Sequence, residues 1–293
     1  MNIALLFIPI LMWSSVGILV KVAAASFAPP FISFLRFFLG FLFLGAFVLV
    51  RGKRVRFNLA NPWVWAAAGA KGINYIAENQ AITRGASWGY IVEQPVQAVA
   101  FLFVAAFYFR ERPTPRKVAA SAVCVIGALL IGLKGIAAAR TGGSVDFLLF
   151  VVAGLGASVH MTGQKALVKT LDSPSMNLSV FAAACLVTAL PLPVSGPLLS
   201  GTMTAPAVSA MTALGFITGA SFLLWGVALK RVPFLVSGIS SNSLVLFALL
   251  WGVLFRGEMP DGWSLLGAAI FVAGLIAMNL PETRRPAREA RDE

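Results

Sequence analysis

KGINYIAENQAITRGASWGYIVEQPVQAVAFLFVAAFYFRER, Lys71 to Arg112, holds two apolar runs of helical length studded with Lys71, Asn74, Glu78, Glu93 and Gln97. Runs of that length suit a lipid bilayer; those side chains do not. A degraded copy follows as Gly219 to Met259. Adding 147 to Gly72, Arg84, Pro95, Glu111 and Gly127 gives Gly219, Arg231, Asn242, Glu258 and Gly274. A shift near 144 brings Trp13-Ser14-Ser15 and Lys21 close to Ala157-Ser158-Val159 and Lys165. One nearly constant offset over more than half of the chain predicts a duplicated unit.

Composition says where such a unit lives. The 293 residues are 59% hydrophobic and only 12% charged, with mean hydropathy +0.87. Soluble domains carry about 25% charged residues, so the chain reads as an integral membrane protein. No phosphate-binding GxxxxGK[ST], HExxH, CxxC or zinc-type Cys/His spacing occurs, so neither cofactor nor metal is expected. Cys124 and Cys185 lie in apolar runs and read as free, buried thiols. The net charge of +12 sits in short loops and the tail rather than on a basic domain, which argues against a nucleic-acid partner. Met1 to Leu19 lacks a basic leader and exceeds a signal-peptide core, so it reads as a retained first helix.

The predicted fold is all-α and integral to the membrane. Ten transmembrane helices are expected over residues 2–24, 30–50, 62–83, 86–109, 115–133, 146–168, 175–195, 207–229, 233–255 and 262–280. Residues 1–140 and 141–280 form two five-helix repeats, and 281–293 a basic, solvated tail. Orientation follows from Lys and Arg in alternate loops. One set of loops holds Arg51, Lys53, Arg54, Arg56, Arg110, Arg112, Arg116, Lys117, Lys169, Lys230, Arg231 and four tail arginines. The other holds only Arg84, Lys134, Arg140 and Arg256. Both termini are therefore expected in the cytoplasm. Five is an odd number, so the second repeat must enter from the opposite side. Inverted repeats are a common basis of alternating access, with the substrate near the midplane where they meet.

Polar groups inside the membrane mark the candidate site. Lys71, Asn74, Tyr75 and Glu78 share one helical face by their i, i+3, i+4, i+7 spacing. Tyr90, Glu93, Gln94 and Gln97 repeat the pattern on the next span. At 1.5 Å per residue, Glu93 lies roughly 10 Å and Gln97 roughly 18 Å below the outer helix end. Trp13, Ser14, His160, Gln164 and Asn242 fall near the same depth, with Trp225 closer to the cytoplasm. Each group also has an ordinary reading. Glu78 and Glu93 pair with Lys71, Arg84 or Lys21; Asn74, Gln97 and Asn242 join helices; Trp88 and Tyr90 belong to an interfacial belt; Lys21 and Lys165 reach the rims. His160, the sole histidine, is either a buried neutral ring or a proton carrier.

Gly156-Ala157-Ser158-Val159 has the look of an intramembrane serine protease motif. Ser158 and His160 stand at i, i+2, on different faces of one helix, and no second histidine exists to form a dyad. An enzyme is not expected.

Ten spans in two halves resemble the drug/metabolite transporter superfamily, in its EamA-type branch. The likeness rests on Trp13-Ser14-Ser15 with Lys21, on Arg36 after Pro30, on Glu111-Arg112 before a glycine-containing fifth helix, and on Glu258 in the matching place. Ala157 and Asn242 depart from the pattern, where tryptophan and proline would repeat. Within the superfamily the chain is similar to bacterial exporters of aromatic and other amino acids. The resemblance implies an inner-membrane exporter of amino acids and related small metabolites, working by alternating access and taken as facilitative. Its expected partners are a small-molecule substrate and membrane lipid, in a monomer or weak dimer. On residue chemistry, Glu78 or Glu93 would receive an ammonium group, Asn74, Gln94 and Gln97 a carboxylate, and Trp13 and Tyr75 a side chain. The alternatives are a proton-coupled drug or sugar-type exporter and a lipid-scrambling or structural membrane protein.

Overall fold

The prolines that punctuate the sequence become helix starts, and polar residues just before them become caps. Asn61 accepts a hydrogen bond from the Trp63 amide at 2.9 Å ahead of Pro62. Asp172 and Asp261 do the same for the amides of Ser175 and Ser264, both at 2.7 Å. Proline fixes φ and lacks the N–H that a first turn leaves unsatisfied, so it belongs at these positions.

The computed structural model describes residues 4–84, 90–111, 113–142, 144–256 and 259–280. Within them the helices are α1 (Ala4–Ser14), α2 (Val16–Ala23), α3 (Pro29–Val50), α4 (Pro62–Thr83), α5 (Tyr90–Phe103), α6 (Pro115–Gly142), α7 (Ser144–Leu167), α8 (Ser173–Ala189), α9 (Ala205–Leu229), α10 (Phe234–Ser241), α11 (Leu244–Arg256) and α12 (Gly262–Asn279). Six stretches among the described residues are long and apolar enough to cross a bilayer: Leu5–Ala23, Pro29–Val50, Val145–Leu167, Ser173–Val194, Ala205–Leu229 and Phe234–Trp251. Among the described residues, pairing of β type is confined to one antiparallel bridge, Phe27 to Leu199. Trp88, Arg112, Glu258 and the tail 281–293 lie outside the described residues.

Three expected spans are interrupted, each for a local chemical reason. Ser14 and Ser15 donate back to the carbonyls of Leu11 and Met12 at 2.7 and 2.8 Å, which breaks the first span into α1 and α2. Serine hydroxyls that compete for helical carbonyls bend helices in this way. The run Ser240-Ser241-Asn242-Ser243 separates α10 from α11, with Ser241 donating to Gly238 O at 2.6 Å. Finally, α5 carries Pro95 and runs into a π turn at Val104–Tyr108. Arg110, at φ 51°, then turns the chain sharply and sets Glu111 against a neighbour.

That neighbour is the start of α10. Glu111 accepts from the amides of Phe234 at 2.7 Å and Leu235 at 3.1 Å. Pro233 precedes these residues and has no side-chain oxygen to cap them, so a carboxylate from the loop that follows the π turn does so. Nearby, the Lys165 ammonium donates to the carbonyls of Leu229 and Val232 at 2.7 and 2.5 Å, capping the end of α9. Lys165 thus holds backbone together at the end of α9. At the opposite end, residues 26–28 zip onto 198–204: Ala28 N donates to Leu198 O at 2.9 Å and Ser200 N to Ser26 O at 3.0 Å.

Small residues let the helices around the site approach closely. A Cβ built on Gly156 of α7 would lie 2.6 Å from Ala70 O, and one on Gly154 would lie 2.8 Å from Glu93 O. Only glycine allows α7 to press against both α4 and α5. On the far side α6 packs along α12 through Gly127, Gly267 and Gly274.

Candidate functional site

The two polar faces anticipated on α4 and α5 meet α1, α2, α3, α7, α9, α10 and α11 around a cavity of about 50 Å³. Its wall is formed by Trp13, Val16, Arg36, Lys71, Tyr75, Glu78, Glu93, Gln94 and Gln97 on one side. Ala157, Met161, Phe222, Ser241 and Leu244 complete it. That volume admits only a few water molecules.

Two cations and two carboxylates face this space, and they are not equivalent. Arg36 is 2% exposed in the middle of an otherwise apolar α3. Its Nη1 stands 3.7 Å from Glu78 Oε2 and 3.3 Å from Asn79 Oδ1. Its guanidinium carbon lies 3.4 Å from the centroid of the Tyr75 ring. Asn79 is itself fixed by donating to Ser33 Oγ at 2.8 Å. The Arg36–Glu78 pair is therefore locked: a planar guanidinium on an aromatic face, held by a carboxylate and an amide.

The second pair is indirect. Lys71 Nζ donates to Asn74 Oδ1 at 2.6 Å, and Asn74 Nδ2 donates to Glu93 Oε1 at 2.9 Å and to Ala153 O at 2.8 Å. A lysine can only donate and a carboxylate or carbonyl can accept here, so the Asn74 amide has one possible orientation and both of its N–H groups are committed. No direct ion pair joins Lys71 to Glu93, and Glu93 Oε2 is buried without a hydrogen-bond partner. Lys71 Nζ also lies 4.6 Å from the Tyr75 ring centre and 5.6 Å from that of Phe222.

Aromatic rings close the other side. Trp13 packs at 5.2 Å from Phe222 and 5.1 Å from Trp225 between ring centres, and its indole N–H donates to Ser221 Oγ at 2.7 Å. Tyr75 stacks on Phe37 at 4.8 Å.

Of the residues singled out from the sequence, Trp13, Tyr75, Glu78, Glu93, Gln94 and Gln97 line the cavity. Asn74 stands behind it as the bridge just described. Ser14, His160, Gln164 and Asn242 do not line it. Ser14 accepts from Trp251 Nε1 at 2.6 Å, and Gln164 donates to Asn177 at 3.0 Å. His160 Nδ1 lies 2.9 Å from Ala67 O; the carbonyl can only accept, so Nδ1 carries the hydrogen. Asn242 sits at the break between α10 and α11, its Nδ2 3.5 Å from Gly238 O. The pairing of Glu78 with Lys71, Arg84 or Lys21 needs correction: its partner is Arg36, and Arg84 stands 3.8 Å from Asp146. Cys124 is a buried free thiol as expected, whereas Cys185 is only half-buried.

Sequence reasoning missed Arg36 and Lys71 as members of the site. The signal was present: each is an ionisable group well inside an apolar span, and Lys71 shares its helical face with three chosen residues. Met161, Phe222 and Leu244 gave no such signal, because apolar side chains on apolar helices look alike in sequence.

A sequence profile of the EamA-like transporter family matches residues 1–133 and again 146–280. The chain belongs to the EamA-like transporter family. It is thus a multi-pass membrane transporter and not an enzyme. In keeping with that, the Ser158 hydroxyl donates to Gly154 O at 2.8 Å rather than to an imidazole. A probable terminal-alkyne amino-acid exporter of Streptantibioticus cattleyicolor is 26% identical over 187 residues, which take in 63% of this chain and 61% of that relative's length. A protein of known crystal structure superposes with a TM-score of 0.76 over 95% of this chain and 96% of its own, at 22% identity. That likeness is one of fold.

Proposed function

We propose that this EamA-family transporter exports amino acids and related small metabolites across a bacterial inner membrane, by alternating access through the cavity between α4, α5 and α9. One observation carries the reading: a chamber is lined by buried charges of both signs, one locked pair and one open pair, beside an aromatic wall. Apolar or purely cationic cargo needs no such arrangement. The amino-acid exporter among its relatives supports the same substrate class.

The ten-crossing, inverted architecture has independent support. The family profile matches twice. In addition, Cys124 Sγ lies 3.6 Å from Phe271 O, exactly one repeat offset of 147 along the chain. A Cβ built on Gly127 would meet the Phe271 amide nitrogen at 2.6 Å, and one on Gly274 would meet Cys124 Sγ at 2.8 Å. Gly127 and Gly274 are counterparts, as are Cys124 and Phe271. Reciprocal contact between counterparts is what a twofold axis between repeats produces. Such repeats move against one another around a fixed site. In the present conformation the chamber is too small for an amino acid, so loading requires the halves to part. Both termini face the cytoplasm in this reading, and the functional unit is a monomer or weak dimer.

Transport is facilitative. Reconstituted protein should move labelled phenylalanine down its gradient at a rate insensitive to an imposed pH gradient. Uphill accumulation driven by that gradient would replace facilitation with proton antiport. A failure to carry any amino acid, together with flux of a cationic drug or a sugar, would replace the substrate class.

A further inference from the structure

The open pair has a geometry that narrows the substrate further, on the reading of the chain as an amino acid carrier. The geometry points to a zwitterion site in which Lys71 receives the carboxylate, Glu93 the ammonium, and Asn74 is a positioning residue that keeps the two poles apart.

Lysine and glutamate that face one cavity ordinarily close into a direct ion pair, since burial of separate charges is costly. Here they do not. The Asn74 amide lies between them, accepting from Lys71 at 2.6 Å and donating to Glu93 at 2.9 Å. Its second N–H is tied to Ala153 O at 2.8 Å, so the spacer is anchored to α7 and cannot swing aside freely. Lys71 keeps N–H groups not committed to a carboxylate, and Glu93 keeps Oε2 buried with no partner in the protein. The poles are separated by at most roughly 8 Å, two hydrogen bonds and the width of one amide. An α-carboxylate and α-ammonium on one carbon, with a hydrogen bond at each end, span about the same length. The order also matches: the amide presents its acceptor to Lys71 and its donor to Glu93, as a carboxylate and an ammonium would.

Charge balance gives the selectivity. Arg36 and Glu78 already neutralise each other at 3.7 Å. A zwitterion satisfies both remaining poles at once and leaves the chamber's net charge unchanged. An amine without its carboxylate leaves Lys71 unanswered, and an acid without its amine leaves Glu93 unanswered. Each loses a charge-assisted hydrogen bond, a penalty of about 10- to 100-fold in affinity. The rings of Trp13, Tyr75 and Phe222 then suit an aromatic or otherwise unsaturated side chain.

The test is competition against labelled phenylalanine on the full-length protein in proteoliposomes, with phenethylamine and 3-phenylpropionate as competitors. The wild type should prefer phenylalanine to both by about 10- to 100-fold. Lys71→Met should abolish discrimination against the amine, and Glu93→Gln discrimination against the acid. Lys71→Arg should keep the wild-type order. Asn74→Asp supplies Lys71 with a carboxylate of its own, so the substrate's carboxylate should cease to matter. If a variant does not fold, judged by a monodisperse elution profile, the wild-type order still decides. Equal competition by all three compounds overturns the proposal. So does an equal weakening of all three in Lys71→Met and Glu93→Gln. Those results leave the amino acid carrier standing; absence of any amino acid flux in the wild type removes both.

Discussion

Glu78 and Glu93 face the same chamber from adjacent helices, yet they are placed for different work. Glu78 answers Arg36, and removing one partner of a buried ion pair costs about 3–5 kcal/mol because the other charge is stranded. Glu78→Gln should therefore lower the thermal midpoint of the purified protein by more than Glu93→Gln does, in a fluorescence melt at one pH. Gln97 and His160 make a second contrast. Gln97 lines the cavity with its Nε2 only 3.9 Å from Met161 Sδ, a weak partner that substrate can replace. His160 is wholly buried against Ala67 and Phe222 and does not line the cavity. Gln97→Ala should alter the Michaelis constant for amino acid efflux at normal expression, whereas His160→Ala should act on stability and leave that constant unchanged. The depth along a helix expected from the sequence does not separate these residues. Their separation depends on which way each side chain faces after packing, and Gly154 and Gly156 settle that by drawing α7 against α4 and α5.

At the level of helices, the positions of most breaks were legible because proline, asparagine and serine carry their own chemistry. Pro62, Pro115 and Pro174 each open a helix where the sequence placed a boundary. The interruption after Ser14 and the one at Asn242 were not anticipated, since neither carries a proline and the apolar residues on both sides read as one span. Competition of serine hydroxyls for helical carbonyls accompanies both, joined at the second by the Asn242 amide. Glu111 was read as a family landmark; its physical task is to cap α10 from the loop that follows the π turn. Loss of such a cap costs about 1–2 kcal/mol. In Glu111→Ala, hydrogen exchange at the amides of Phe234 and Leu235 should quicken by roughly tenfold. Unchanged exchange would mean that Pro233 and its neighbours hold the end of α10 unaided.

Over the whole molecule, the offset of 147 visible in Gly72, Arg84, Glu111 and Gly127 translates into contacts between counterparts at the α6–α12 seam. The carboxylates of the chamber were legible from the first repeat, where ionisable groups stand out in apolar surroundings; Arg36 and Lys71 carried the same signal and were passed over. The apolar half, contributed by Met161, Phe222 and Leu244, emerges only when the two halves are packed together. In the proposed cycle this chamber opens to each side of the membrane in turn. Ala157, small and on the chamber wall, is the place to ask. In a protein with Cys124 and Cys185 replaced by alanine, Ala157→Cys should react with a membrane-impermeant thiol reagent added from either face, and phenylalanine should slow both reactions. Modification from one face alone, whatever substrate is present, would contradict alternating access.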